Sequence, residues 1–249
     1  MKMMLTAAAA LAVAASAQAA VTGVVWRAVD NSVGNPGMDA VGGAPGWNAL
    51  SQYTFDLILM GDAGQRINGI NMGDAAFPNA SPFALYTNGN VFNHPLGSNI
   101  RSTNFENVPG FNAIRYDTYV ALEGSIAASV SFAGVADLAA NGTTDQVMRA
   151  TWFTTDNVTL DANGEMRIMR VTVGYQMGFD PFASGSGAFL GTLGVGGLEA
   201  GNNESRIEVG LPGGVLTELV IGNAFELVPT PGATALFGLA GLAGLRRRR

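Results

Sequence analysis

The clearest signal along the chain is an alternation of apolar and polar residues. From 52 to 60, Tyr53, Phe55, Leu57 and Leu59 fall on one face and Gln52, Thr54 and Asp56 on the other, the period of a half-buried strand. Ile114, Tyr116, Thr118, Val120 and Leu122 repeat the pattern, opposed by Arg115, Asp117 and Glu123. Further strands are predicted over 21–29, 65–72, 148–154, 165–175, 187–195, 206–211, 215–221 and 224–228, about ten in all. Asn-Gly pairs at 68–69, 88–89, 141–142 and 163–164 suit turns that need positive φ. The last of them separates 157–160 from 165–175 and predicts a hairpin. Residues 125–130 fit a strand and 135–139 a short helical turn, and no fixed-period repeat is present. Many short strands with Gly and Asn turns and few helix signals favour a mainly β fold. The expected architecture is a two-sheet antiparallel β-sandwich over residues 20–227 rather than an α/β domain.

The two ends depart from this pattern. Lys2 supplies a positive start, 3–15 an apolar run, and Ala17-Gln18-Ala19 a small-x-small site, which together match a signal peptide over 1–19. Cleavage after Ala19 would leave Ala20 as the first residue of the body. An ordinary N-terminal helix fits less well, because no acidic or capping residue opens the segment.

At the other end, Val228-Pro229-Thr230-Pro231-Gly232 is followed by the uncharged stretch 233–245 and by Arg246, Arg247, Arg248 and Arg249. The prolines impose an extended break, since each ring removes an N–H donor and restricts the residue before it. A helix over 232–245 would span roughly 21 Å, short of the roughly 30 Å hydrocarbon core of a bilayer. In an exported protein the four arginines would leave the C-terminus on the cytoplasmic side. A last core helix, with the arginines at its C-terminal dipole, is the other possibility for 233–245, and it would have to be buried on all sides. Gly238, Gly241 and Gly244 recur every third residue, which is not the Gly-x-x-x-Gly dimer pattern.

The segment 228–249 resembles the PEP-CTERM sorting signal of exopolysaccharide-producing bacteria: a proline-flanked motif, a short hydrophobic helix and a terminal arginine cluster. Thr230 stands where that family carries Glu. The resemblance implies a substrate of exosortase, a membrane-embedded transpeptidase-like processing enzyme. Pro229, Thr230, Pro231 and Gly232 would be its recognition motif and Arg246 to Arg249 the topology anchor. It also implies delivery through the secretion translocon to the envelope, surface or extracellular matrix, with a transient or permanent membrane anchor. Residues 53–59, 115–122, 150–153 and 166–173 loosely resemble cohesin-like or carbohydrate-binding-module-like sandwiches, a likeness that carries no binding residues across.

Composition narrows the function classes. Five of the 13 cations lie in the two ends (Lys2 and Arg246 to Arg249), so the body keeps 8 against 19 anions, a net charge of −11. This argues against nucleic acid as a partner and disfavours acidic substrates, because phosphate binding needs a basic face. Without cysteine there is no disulfide scaffold, thiol nucleophile or cysteine-ligated metal. The single histidine, His94, sits in a loop-like Asn-His-Pro-Leu-Gly stretch with no nucleophile-elbow motif to partner it. Glycoside hydrolysis needs two carboxylates across a sugar, and Glu123, Glu165 and Glu208 are candidates that nothing in the sequence ranks. Asp156, Asp161, Asn163 and Glu165 place oxygen ligands close enough together in the chain for a structural calcium ion, although Asp and Asn belong in turns for backbone reasons alone. Trp47, in a Gly-rich setting, is the candidate for stacking on a sugar ring, Trp152 the candidate for the core. The expected function is that of a non-enzymatic exported protein; an exopolysaccharide-binding module is the alternative and a secreted hydrolase the third reading.

Overall fold

The computed structural model describes residues 20–29, 52–87, 90–94, 96–101, 106, 112–138, 146–174, 204–222 and 224. Twelve strands lie among them. In chain order they are β1 (Val21–Val29), β2 (Gln52–Gly61), β3 (Gly69–Asn71), β4 (Leu85–Thr87), β5 (Asn90–Val91) and β6 (Tyr119–Glu123). These are followed by β7 (Ser131–Phe132), β8 (Gln146–Met148), β9 (Thr151–Phe153), β10 (Glu165–Gly174), β11 (Arg206–Gly210) and β12 (Leu216–Val220). The described residues are thus mainly β, and every strand pair is antiparallel.

One sheet runs β1-β2-β10, with β5 and β6 both pairing along the far edge of β10; a second runs β12-β11-β3-β9-β7; β4 and β8 form a pair. In the first sheet Phe55, Leu57 and Leu59 of β2 share a face with Val171, Met169 and Met166 of β10. In the second, Ile207 and Val209 of β11 align with Ile70 of β3 and Trp152 of β9. One buried cluster draws on both sets. Trp152, fully buried as expected, donates its Nε1–H to the Ala121 carbonyl of β6 at 2.9 Å. Trp26 is buried edge-on to Phe55 and donates to the Gly222 carbonyl, 196 residues away.

The long strands lie where alternation put them, and the differences have physical causes. β2 is not half-buried: Thr54, Asp56 and Ile58 are buried as well, because β10 and β6 bring side chains over that face. The predicted strand through Ile114 begins only at Tyr119. Asn112–Tyr116 is a 3₁₀ turn whose Arg115 and Tyr116 carbonyls accept from Arg170 Nη1 and Thr172 Oγ1 instead of from a neighbouring strand. The predicted strand over 148–154 is divided between β8 and β9, which belong to different sheets, with Arg149 bridging Asp137 between them. Residues 125–130 and 135–138 form no strand or helix beyond isolated bridges, and residue 139 is not described.

The Asn163-Gly164 turn is present, with Gly164 at φ 74°, but it leads β10 onto β2, while 158–160 bond to 64–67. Gly164 has no substitute there: a Cβ would lie 2.1 Å from the Gly61 carbonyl oxygen. The predicted strand over 187–195, most of that over 224–228, the leader, Trp47 and the tail lie outside the described residues.

Trp152→Ala removes the largest fully buried side chain and its bond to Ala121. The expected cost is about 3–5 kcal/mol, read as a lowered urea midpoint at unchanged m-value.

Candidate functional site

Strict alternation would send Arg167 and Arg170 to opposite faces of β10, because their spacing is odd. A β-bulge between Arg167 and Met169 shifts the register and places both on the face of Asp56. Arg170 grips Asp56 with two bonds, Nε to Oδ1 at 2.7 Å and Nη2 to Oδ2 at 2.8 Å. Arg167 Nη1 reaches Asp56 Oδ2 at 3.3 Å, while its Nη2 pairs with Glu123 of β6. The line continues from Glu123 to Arg101 at 3.0 Å, and from Arg101 to Glu106 through two bonds of 2.7 and 2.8 Å. Three carboxylates and three guanidiniums therefore alternate across one sheet face. The Tyr119 ring lies beneath Arg170 and Arg167, whose Cζ atoms are 5.7 and 5.9 Å from its centroid.

Burial pushes the Tyr119 hydroxyl up to about 12, against the opposing pull of the two arginines. At the end of the line burial opposes ionisation of Glu106, yet its bonds from Arg101 hold it below the ordinary carboxylate range.

Beside this line a cleft of about 250 Å³ opens. Its charged lining is Arg27, Asp56, Glu123, Asp161, Glu165 and Arg167, a net charge of −2, with Ile58 and Met166 as apolar wall. Arg27 of β1 spans to Glu165 at 2.8 and 2.9 Å. Asp161 accepts the N–H groups of Glu165 and Asn163 through Oδ1, at 2.9 and 2.8 Å, and these bonds hold its carboxyl below the ordinary range. Guanidinium and amide donors thus occupy carboxylate oxygens throughout. The cleft is a polar surface whose charged groups are paired with one another across neighbouring strands and their turn.

Of the residues singled out from sequence, Glu123 and Glu165 meet in this cleft, whereas Glu208 lies on the other sheet beside Asn71. Asp161, Asn163 and Glu165 share one turn, but Asp156 Oδ2 instead accepts the Ser129 N–H. Among the described residues no group of three or more His, Asp or Glu is placed to hold a metal ion. Arg27, Asp56, Arg101, Arg167 and Arg170 were not legible as a set. Asp56 was in view only as one polar position of its strand, beside Gln52 and Thr54, and nothing local marked its partners.

His94 is buried in its loop, not exposed, edge-on to Phe92. Its Nδ1 accepts the Leu96 N–H at 3.1 Å, and its own N–H donates to Asp117 Oδ1 at 2.7 Å. The loop closes over Asp117 so tightly that a Cβ at Gly97 would lie 1.8 Å from Oδ2. Burial pushes the Asp117 carboxyl up to about 7, although the N–H groups of His94, Thr118 and Ser98 favour its anion.

No protein-family model, curated protein or solved structure matches the chain.

Asp117 sets a pH dependence. Its carboxyl, with an ordinary value near 4, is raised to about 7 in the fold, so the folded state binds the proton more tightly than the unfolded state. Its contribution to stability is greatest below about pH 4 and declines by up to about 1.4 kcal/mol per pH unit as pH rises toward 7. Urea unfolding at a series of pH values is expected to show this decline, and Asp117→Asn to flatten it.

Proposed function

We propose that the chain is a non-enzymatic exported protein of the cell surface or extracellular matrix. A β-sandwich body lies between a signal peptide over 1–19 and a sorting tail over 228–249. The observation that carries this reading is the three-part tail, Pro229-Thr230-Pro231-Gly232, the apolar stretch 233–245 and Arg246 to Arg249, at the end of a chain that opens with a leader. The tail makes the protein a substrate of an exosortase-type processing enzyme after passage through the translocon. The sandwich is supported by the buried cluster to which both sheets contribute and by the Trp152 bond that joins β9 to β6. A body without cysteine or lysine but with a dense arginine–carboxylate lattice has its cohesion in packing and ion pairs.

The cleft favours a second reading, binding of a hydroxyl-rich glycan. Fixed carboxylates and guanidiniums can pair with sugar hydroxyls, and the net charge of −2 points to a neutral or cationic polymer rather than an acidic one. Trp47 remains the candidate stacking residue on this reading.

Protein recovered from its native cells is expected to have an intact mass that starts at Ala20 and ends near Pro231. Deleting Arg246 to Arg249 is expected to leave full-length precursor in the membrane or let it pass unprocessed; normal processing of that deletion would refute the tail assignment. For the second reading, the purified body should be retained on neutral matrix polysaccharide. Arg27→Ala, Glu165→Gln or Trp47→Ala should each weaken retention about tenfold, the loss of one charge-assisted contact or stacking platform. Retention on no polysaccharide would sink it.

A further inference from the structure

Both main-chain groups of Ala20 are tied to a single aspartate. The Ala20 N–H donates to Asp62 Oδ2 at 2.9 Å, and the Asp62 N–H donates to the Ala20 carbonyl at 3.0 Å. The chain permits this approach through Gly61, where a Cβ would lie 2.5 Å from the Ala20 oxygen. β1 starts at the next residue, so this reciprocal pair fixes the corner where β1 meets the end of β2.

In a chain that continues back to Ala19, the first of these bonds joins an amide to a carboxylate. Hydrolysis of the Ala19–Ala20 peptide bond changes only one partner. Water adds across the bond, Ala19 leaves as a carboxylate, and the Ala20 nitrogen becomes an ammonium with three N–H donors. We infer that Asp62 is the built-in acceptor for that new N-terminus: removal of the leader converts an amide–carboxylate hydrogen bond into an ammonium–carboxylate pair that locks β1 to the 61–64 turn. The inference rests on the leader reading, but its geometry belongs to the body.

Three observations make the pairing specific. The carboxylate is already placed at bonding distance, so no rearrangement is needed. The segments around the corner carry Asp62 and Arg66 on one turn and Asp161 and Glu165 on the other; Glu165 is taken by Arg27, and Asp161 by the backbone of its own turn. Finally, Lys2 is the only lysine in the sequence and leaves with the leader. The α-amino group of Ala20 is then the sole primary amine of the processed chain.

That last fact supplies a clean readout. A chain beginning at Ala20 is labelled with an amine-reactive ester at a series of pH values, beside its Asp62→Asn and Asp161→Asn variants, each first shown to be folded. The pair stabilises the ammonium form. Its effect is therefore fully present below the ordinary α-amino titration near pH 8 and fades as pH rises through the shifted one. At pH 7–8 the parent is expected to label roughly two- to fivefold more slowly than Asp62→Asn, the range an exposed ion pair supports, with Asp161→Asn close to the parent. Equal rates for parent and Asp62→Asn, or an equal acceleration by Asp161→Asn, would overturn the inference. The leader reading is tested separately: exported protein whose mass does not begin at Ala20 overturns that reading, whatever the labelling rates show.

Discussion

Asp56 is a carboxylate near the middle of a sheet, on a strand flanked on both sides, and it has to be neutralised where it stands. Leaving a buried charge of this kind unpaired costs several kcal/mol. Arg170 meets it bidentately and Arg167 adds a longer contact. Both reach it only because β10 carries one extra residue between them. The consequences spread outward. Tyr119 lies where its ring can support two guanidiniums, Arg170 draws in the Arg115 carbonyl, and that contact belongs to a 3₁₀ turn in place of a strand. Glu123 and Arg101 then extend the line to Glu106. One obligatory pairing thus organises the whole polar face of the sheet.

The same bulge explains what alternation can and cannot reveal. β1, β2, β10, β11 and β12 are long enough for a period of two to stand out, and their bounds match the expected segments to within a residue or two. β4, β5 and β7 are two or three residues long, too short to carry a period, and are held by partners distant in sequence. The division of 148–154 between β8 and β9 keeps the alternation intact while the strand changes sheet, so pattern alone could not detect it. The cleft was half legible. Glu123 and Glu165 were both in view as carboxylates, but their meeting depends on β6 and β10 lying side by side. Arg167 was hidden by a register shift that no local pattern records.

The body also separates two uses of acidic residues that composition alone merges. Asp56, Glu123 and Glu165 are matched to arginines on neighbouring strands. Asp117 has no such partner, and the backbone of a glycine-containing loop closes around it. Asp161 again is served by main-chain donors, this time in a turn. The carboxylates on the β2, β6 and β10 face are thus met by arginines, while Asp117 and Asp161 are served by main-chain amides.

Order of synthesis matters for such a topology. β2 waits for β10, β3 waits for β11, and the Trp26 indole finds its carbonyl only at Gly222. A polypeptide made from its N-terminus cannot complete the first sheet before β10 has emerged, or the second before β12. The early strands have no local partner apart from β1 with β2, and loop closure over such separations is slow. The connectivity itself defers completion of the fold until the last strands arrive.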